Sequence, residues 1–442
     1  MNISELAQQH HQAMIDLRRE LHRHPESGWL TFYATCKIAH VLRNLGYRLK
    51  MGEEIVSRHC RLGLGTAEEI ISAQERAKKL LTEEEQQFLP ILEDGLTGVV
   101  AELDTGKPGP VTAFRFDIDA VEVSESRDKA HFPEKEGFSA DLEGMMHACG
   151  HDGHTSIGLT FAKILAEHRD EFAGKIILIF QTGEEGCRGA VGMEPLHFLD
   201  NVDYLFGMHI GFQAKRPQSI ICGVQKFLAT SKFDVYFQGK AAHASGEPQK
   251  GQNALLAGAT AALQMHAITR HADGASRINV GVLKAGTGRN VIAPNAYLAC
   301  ETRGETTEIN DFMRQRCENI IEGVAKIYDV DYKILSTGGT AGGNSSCAMT
   351  DLIEEIALES PFILNSLIQR ESDFKACEDF AHFMHKVQQN GGVSGYAMIG
   401  THLAAGHHNE RFDFDEDCLL SGLDIVLRLA QRLNGADMQT QE

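Results

Sequence analysis

No CxxC pair occurs among the ten cysteines, which are scattered from Cys36 to Cys418. That excludes the spaced thiol pairs of a structural zinc site, and a chain of this length does not depend on a disulfide framework. No run approaches the roughly 18 apolar residues of a membrane span. The N-terminal stretch "MNISELAQQHHQAMIDLRRELHRHPESG" is polar and amphipathic, without the apolar centre of a secretory signal. A reducing cytoplasm is the expected compartment, with no membrane partner. Positive charge is scarce: 42 Lys and Arg stand against 61 Asp and Glu, a formal net charge of −19. This argues against a nucleic-acid partner, which draws on clustered basic residues, but leaves room for an anionic small substrate held by one or two arginines. Internal repeats and low-complexity tracts are absent.

At 442 residues the chain exceeds the ~250–300 at which single cores tend to split, so two domains are expected. Apolar spacing predicts helices over 4–24 and 32–45, and propensity predicts a charged helix over 66–90, ended by Pro90. Short apolar runs at 96–103, 110–118, 174–180 and 202–210, separated by helix-length segments, suggest buried parallel strands in an α/β layer. Near 223 the texture changes. Strands at 233–245, 277–286, 296–304 and 331–335 alternate with helices at 252–271 and 307–328, as in a separate α+β module inserted into the first domain. "STGGTAGGNSS" (336–346) reads as a Gly/Ser-rich return linker, and 350–436 supplies more helices and a strand at 395–400. The expected division is a first domain in two parts, 1–222 and 337–442, around an insert at 223–336.

Four clusters carry metal chemistry. "MMHACGHDGHT" (145–155) crowds His147, Cys149, His151, Asp152 and His154 where a strand hands over to a helix, the place where α/β sheets put their sites. Thiolate and imidazole both suit zinc and similar metals, although such a turn alone could hold only caps and solvated histidines. After the strand "KIILIF" comes "QTGEEG", with Glu184 and Glu185 adjacent. Neighbouring carboxylates repel unless a cation relieves them; one can ligate a metal while the other takes a proton from water. "GMHIG" puts His209 at another strand end, and "AAGHHNERFDFDE" offers His407 and His408. A lone glutamate pair or histidine is usually solvated or satisfied in a core, but four clusters at strand and loop ends supply enough donors for a two-metal centre.

With "RRELHRHPESGW", "FRFDIDAVEVSE", "AAHAS", "GRNVIAPNA", "ETRG" and "CEDFAHF" in the same order, the chain resembles the M20 family of metallopeptidases from about residue 15 to 430, in its branch of N-acyl-amino-acid amidohydrolases. The resemblance implies an α/β fold: a metallopeptidase-type catalytic domain with a mixed sheet flanked by helices, plus an inserted α+β lid and dimerisation domain. It implies Cys149, His151, Glu185, His209 and His408 as ligands of two divalent ions, Mn²⁺ or Zn²⁺, and Glu184 as general base and later acid. His408 is favoured over His407 because it directly precedes Asn409, as in the family pattern. Where relatives have a ligating His-x-Asp, "RFD" puts Arg115 at the histidine position, which leaves Asp117 an orienting role. From the insert, His243 is expected to reach a partner's active site, Asn290 to hold the substrate carboxylate or oxyanion, and Arg303 to grip the carboxylate of the amino-acid part.

The expected activity is metal-dependent hydrolysis of an amide joining an aromatic acyl group to glutamate, in a homodimer or a heterodimer with a related second subunit. Broader N-acyl-amino-acid or dipeptide hydrolysis is the alternative within the class. A structural subunit of a hetero-oligomeric hydrolase would not need the complete ligand set, and a metal-storage module would not need paired glutamates.

Overall fold

The N-terminal apolar stripe forms the helix Ile3–Arg23, started by Asn2, whose side chain accepts the Glu5 N–H. Its buried face includes Arg18 and His22 beside Ile3, Met14 and Leu21. Between 66 and 90, where one helix is expected, there are two. Thr66 with Glu69 and Thr82 with Glu85 each close a capping box, so helices Ala67–Leu80 and Glu83–Gln86 are separated by Leu81 in extended conformation. The structure, a computed structural model, describes residues 2–436.

The described chain divides into two compact units. The second is Lys226–Gly343 with Lys375–Ala381, and the first is the remainder. The expected boundaries at 223 and 336 assigned the segment 375–381 to the first domain; it groups instead with the second unit.

Among the described residues twelve strands occur in chain order: β1 (Arg48–Lys50), β2 (Val99–Asp104), β3 (Val111–Asp117), β4 (Lys175–Gln181), β5 (Tyr204–Ile210), β6 (Ile220–Gln225), β7 (Ala229–Gln238), β8 (Ser276–Ala285), β9 (Asn295–Gly304), β10 (Asp331–Thr340), β11 (Ile368–Asp373) and β12 (Val393–Ile399). The first unit holds an eight-stranded mixed sheet in the order β1-β2-β4-β3-β5-β12-β6-β11. β4, β3, β5 and β12 run parallel. The run expected as a further parallel strand at 96–103 forms β2, which is antiparallel to both β1 and β4. β3, β4 and β5 are buried almost throughout, which explains their unbroken apolar runs.

The helix His151–Glu167 lies against this sheet with nearly every residue buried. Gly158 permits the approach: a Cβ there would stand 2.7 Å from Phe116 Cδ2 and 2.8 Å from Phe180 Cε1, so even alanine would overpack the contact at about 1–3 kcal/mol. The helix N-terminus and the carboxyl ends of β3, β4 and β5 thus converge, at Asp117, Gln181 and Ile210.

In the second unit β10-β7-β9-β8 form an antiparallel sheet. Helices Ala254–His266 and Thr307–Tyr328 share a core with its buried residues Phe233, Val235, Phe237 and Leu298. The Gly/Ser-rich stretch expected as linker from 336 continues as β10 to Thr340, passing a register shift between Ser336 and Gly338. Glycine here serves a strand irregularity rather than a linker.

Candidate metal centre

Each strand end delivers one part of the site. β5 carries His209 one residue before its end; its Nδ1 donates to the Ile210 carbonyl at 2.8 Å, leaving Nε2 3.5 Å from Cys149 Sγ. His151 opens its helix and donates from Nδ1 to the Asp119 carbonyl at 2.7 Å. Its Nε2 is buried without a hydrogen-bond partner, 3.8 Å from Glu184 Oε2. After β4 the chain turns at Glu184 and Glu185. Glu185 Oε1 lies 3.1 Å from His408 Nε2, yet makes no aligned hydrogen bond. His408 is held in the left-handed region at φ 62, with its N–H donating to the Ala148 carbonyl. A non-glycine residue kept there stores strain that is common at functional sites.

The donor atoms form overlapping groups, each within 4.8 Å: Cys149, His151 and His209; Cys149, Glu185 and His408; His151, Glu184 and Glu185. Donors bonded to one ion at roughly 2.0–2.3 Å require such separations. Electrostatics agree with a cation at the centre. Burial, helped by Glu185, Glu184 and Asp117, pushes the Cys149 thiol well above its ordinary value, so a thiolate there needs a positive partner. Burial and the neighbouring His154 and His407 keep His209 neutral, the ligating form. Burial opposes ionisation of Glu185, but His408 and His151 hold its carboxyl below the usual value. The orphaned His151 Nε2, the strained His408 and the buried thiol all fit bound divalent metal.

Other side chains of the motif are already committed. His154 donates from Nδ1 to Asp117 Oδ1 and accepts the Ile210 N–H at Nε2, 2.9 Å away. His407 stacks on Phe212 at 4.1 Å and 5°, with Nε2 3.1 Å from the Ile210 carbonyl, so His408 alone of the pair faces the donors. His147 is buried outside the donor groups. Asp152 belongs to an ion network, bound by Arg18 and His22 at 2.8 Å each; Arg18 continues to Asp413, and His22 to Glu125. The "RRELH" motif therefore braces the residue after His151.

Asp117, expected to orient the site, accepts from Arg115 and His154. Sequence reasoning missed Asp119, a fully buried carboxylate that accepts the Glu184 N–H at 3.0 Å and the Glu185 N–H at 3.1 Å. The signal was present in "FDID": residues two apart at a strand end can face one side.

His243, Asn290 and Arg303 belong to the second unit. His243 Nδ1 accepts the Ser245 and Gly246 N–H groups at 3.2 and 3.0 Å, which puts its proton on Nε2. His243 bridges to Val291, and the Asn290 carbonyl accepts the Ala244 N–H. Arg303 on β9 pairs with Glu301 and stands directly across from Arg277 of β8.

The model of Peptidase family M20/M25/M40 matches residues 113–432. The chain is 43% identical over 413 residues to indole-3-acetyl-aspartic acid hydrolase of Enterobacter agglomerans, covering 93% of this chain and 94% of that protein. It is equally 43% identical, with the same coverage, to the A subunit of p-aminobenzoyl-glutamate hydrolase from Escherichia coli (strain K12). Among solved structures it is similar to an aminobenzoyl-glutamate utilization protein from Klebsiella pneumoniae, with TM-score 0.83, 37% identity and 98% of each chain covered. Among the described residues no helix is long and apolar enough to cross a membrane. By this match over most of its length, and by its likeness to these hydrolases, the chain belongs to peptidase family M20/M25/M40 and is a metal-dependent amidohydrolase.

Proposed function

We propose that this enzyme hydrolyses the amide between an aromatic acyl group and an acidic amino acid, p-aminobenzoyl-glutamate above all, giving p-aminobenzoate and glutamate. The observation that carries the reading is the gathering of Cys149, His151, Glu185, His209 and His408 around Glu184 in a chain 43% identical to two hydrolases. Both relatives' names join an aromatic acyl group to aspartate or glutamate. When bound by those five residues, two divalent ions supply Lewis acidity at the scissile carbonyl and acidify water.

Glu184 takes the proton as water adds to the carbonyl carbon, then returns it to the leaving amine nitrogen as the C–N bond breaks. Asp119 holds Glu184 through its backbone. His243, protonated on Nε2, and Asn290 are the proposed donors to the developing oxyanion. Arg303 is the proposed partner of a substrate carboxylate. Arg277, directly across the strand pair from Arg303, is the proposed partner of a second carboxylate. The softness of the Cys149 thiolate favours zinc, with manganese as the alternative.

Assembly through the second unit is part of the proposal. β8 is an edge strand, Leu283 on it is 44% exposed, and Leu263 of the neighbouring helix is 73% exposed, an apolar surface suited to a partner. The partner is a second copy or a related chain, since the name of the Escherichia coli relative marks that protein as one component of its hydrolase.

The test is release of p-aminobenzoate by the purified chain loaded with Mn²⁺ or Zn²⁺, beside release of indole-3-acetate from its aspartate conjugate. Glu184→Gln and a chelator serve as controls. Release that both controls abolish supports the reading. Absence of release from either substrate, even with the related second chain supplied, refutes it.

A further inference from the structure

The turn that carries Glu184 and Glu185 is short and rich in glycine, and its own hydrogen bonds do little to place Glu185. Cys187 N–H returns to the Glu184 carbonyl at 2.7 Å, while the Arg188 and Gly189 N–H groups both return to Gly183, at 3.1 and 2.7 Å. Outside the turn, Thr182 fixes its entrance: the hydroxyl donates to the Gly28 carbonyl and meets Thr31 and Thr97 hydroxyls at 2.7 and 3.1 Å.

The exit is fixed by Arg188. Its Nε donates to the Glu185 carbonyl at 2.9 Å and its Nη1 to the Gly63 carbonyl at 3.1 Å. The guanidinium lies flat on Gly28, where a Cβ would stand 2.7 Å from Cζ and Nη2. Gly28 has φ +52, so a side chain there would be strained as well as obstructed. Gly63 itself belongs to a stretch secured twice more: the Trp29 indole N–H donates to the Leu62 carbonyl at 2.8 Å, and the Ser57 N–H to the Gly192 carbonyl at 2.8 Å. One planar fork reaches two carbonyls in different directions, which an ammonium on a flexible stem cannot reproduce.

We propose that Arg188 is a positioning residue that ties the Glu184–Glu185 turn to the segment 57–64, so that this segment, which supplies no donor, sets metal affinity and the placing of the general base. This rests on the metal-centre reading above. Removing groups that orient ligands typically costs about 10–100-fold in metal affinity.

The experiment measures Zn²⁺ affinity of the full chain by competition with a chromophoric chelator, which needs no substrate. Arg188→Met should bind Zn²⁺ roughly tenfold or more weakly, and at saturating metal should show lower kcat with unchanged KM. Arg188→Ala should behave likewise and recover affinity when millimolar guanidinium, but not ammonium, is added, a rescue that a merely unfolded variant would not show. Wild-type affinity in Arg188→Met, or no rescue of Arg188→Ala by guanidinium, would overturn the proposal. A wild-type chain that bound Zn²⁺ tightly yet cleaved neither amide would refute the proposed function and leave the role of Arg188 standing. A wild-type chain that bound no Zn²⁺ would overturn both.

Discussion

Asp119→Asn removes a buried carboxylate that holds two backbone groups and stands 3.8 Å from the His151 ring. Both oxygens accept N–H donors, the buried one of Glu184 at 3.0 Å and the part-buried one of Glu185 at 3.1 Å. Asparagine keeps one acceptor and presents an NH₂ to the other N–H, so one charge-assisted bond is lost, at about 1.5–3 kcal/mol, and one buried donor is left unpaired, at about 1–3 kcal/mol. Some relaxation of the turn brings the total to the order of 3 kcal/mol, roughly a hundredfold in a rate or an equilibrium. The Asp119 carbonyl that receives His151 Nδ1 is untouched, so the change falls on the Glu184–Glu185 turn and on the charge 3.8 Å from the His151 ring. Steady-state kinetics at saturating metal and urea unfolding should divide the effect between kcat and stability, with KM little changed. A variant whose kcat stays within threefold of wild type and whose urea midpoint is unmoved would refute the reasoning.

His408→Ala should lose metal, whereas His407→Phe, which keeps the stack on Phe212, should retain most of it; metal content by elemental analysis after gel filtration decides. Chelation should lower Tm as well as abolish activity, because ligand at a hundred times its Kd stabilises the fold by about 2.7 kcal/mol; an unchanged melting curve would count against a structured metal centre. Acid stability should depend on Glu125. Burial alone would raise its carboxyl, but hydrogen bonds from His131 and His22 and the Ala140 N–H hold it down to about 2 against an ordinary 4.5. A depressed carboxyl stabilises the fold above its unfolded value and loses that contribution as pH falls through the folded one, on the order of 3 kcal/mol between about pH 4.5 and 2. The stability gap between wild type and Glu125→Gln should therefore narrow as the buffer is taken from pH 6 toward 2.5, and a constant gap in urea midpoints would be the contrary result.

Much of this architecture is legible because its strands are buried on both faces and its helices are amphipathic, so β3, β4, β5 and the helix Ile3–Arg23 announce themselves as apolar runs or stripes. Strand direction is not: nothing in "LTGVVAEL" distinguishes β2, antiparallel, from its parallel neighbours, since burial leaves the same composition either way. The helix expected over 66–90 is divided because Thr82 with Glu85 restarts a helix locally, a signal outweighed by the propensity of the surrounding residues. At the site, metal-loving side chains at strand ends are visible in the sequence, but the division of labour between Asp117 and Asp119 is not. It depends on which carboxylate Arg115 and His154 occupy, a matter of tertiary contact. Arg188 escapes notice for the same reason, as its two carbonyl partners lie 3 and 125 residues away.

The sheet order has a consequence for the birth of the enzyme. β12, the last of the described strands to be made, lies between β5 and β6, which the ribosome completes well over a hundred residues earlier. Until residues 393–399 emerge, the nascent chain carries a slot in the middle of its sheet, and the apolar strand "YLFGMHI" is an open edge beside a half-assembled set of donors. Open apolar edges invite pairing with other chains, so chaperone protection is expected to matter most in that interval. His408 follows β12 by nine residues, so the same event that seals the sheet delivers the last donor. The full set of five candidate donors therefore exists only once the sheet is whole, although four of them precede β12 in the chain.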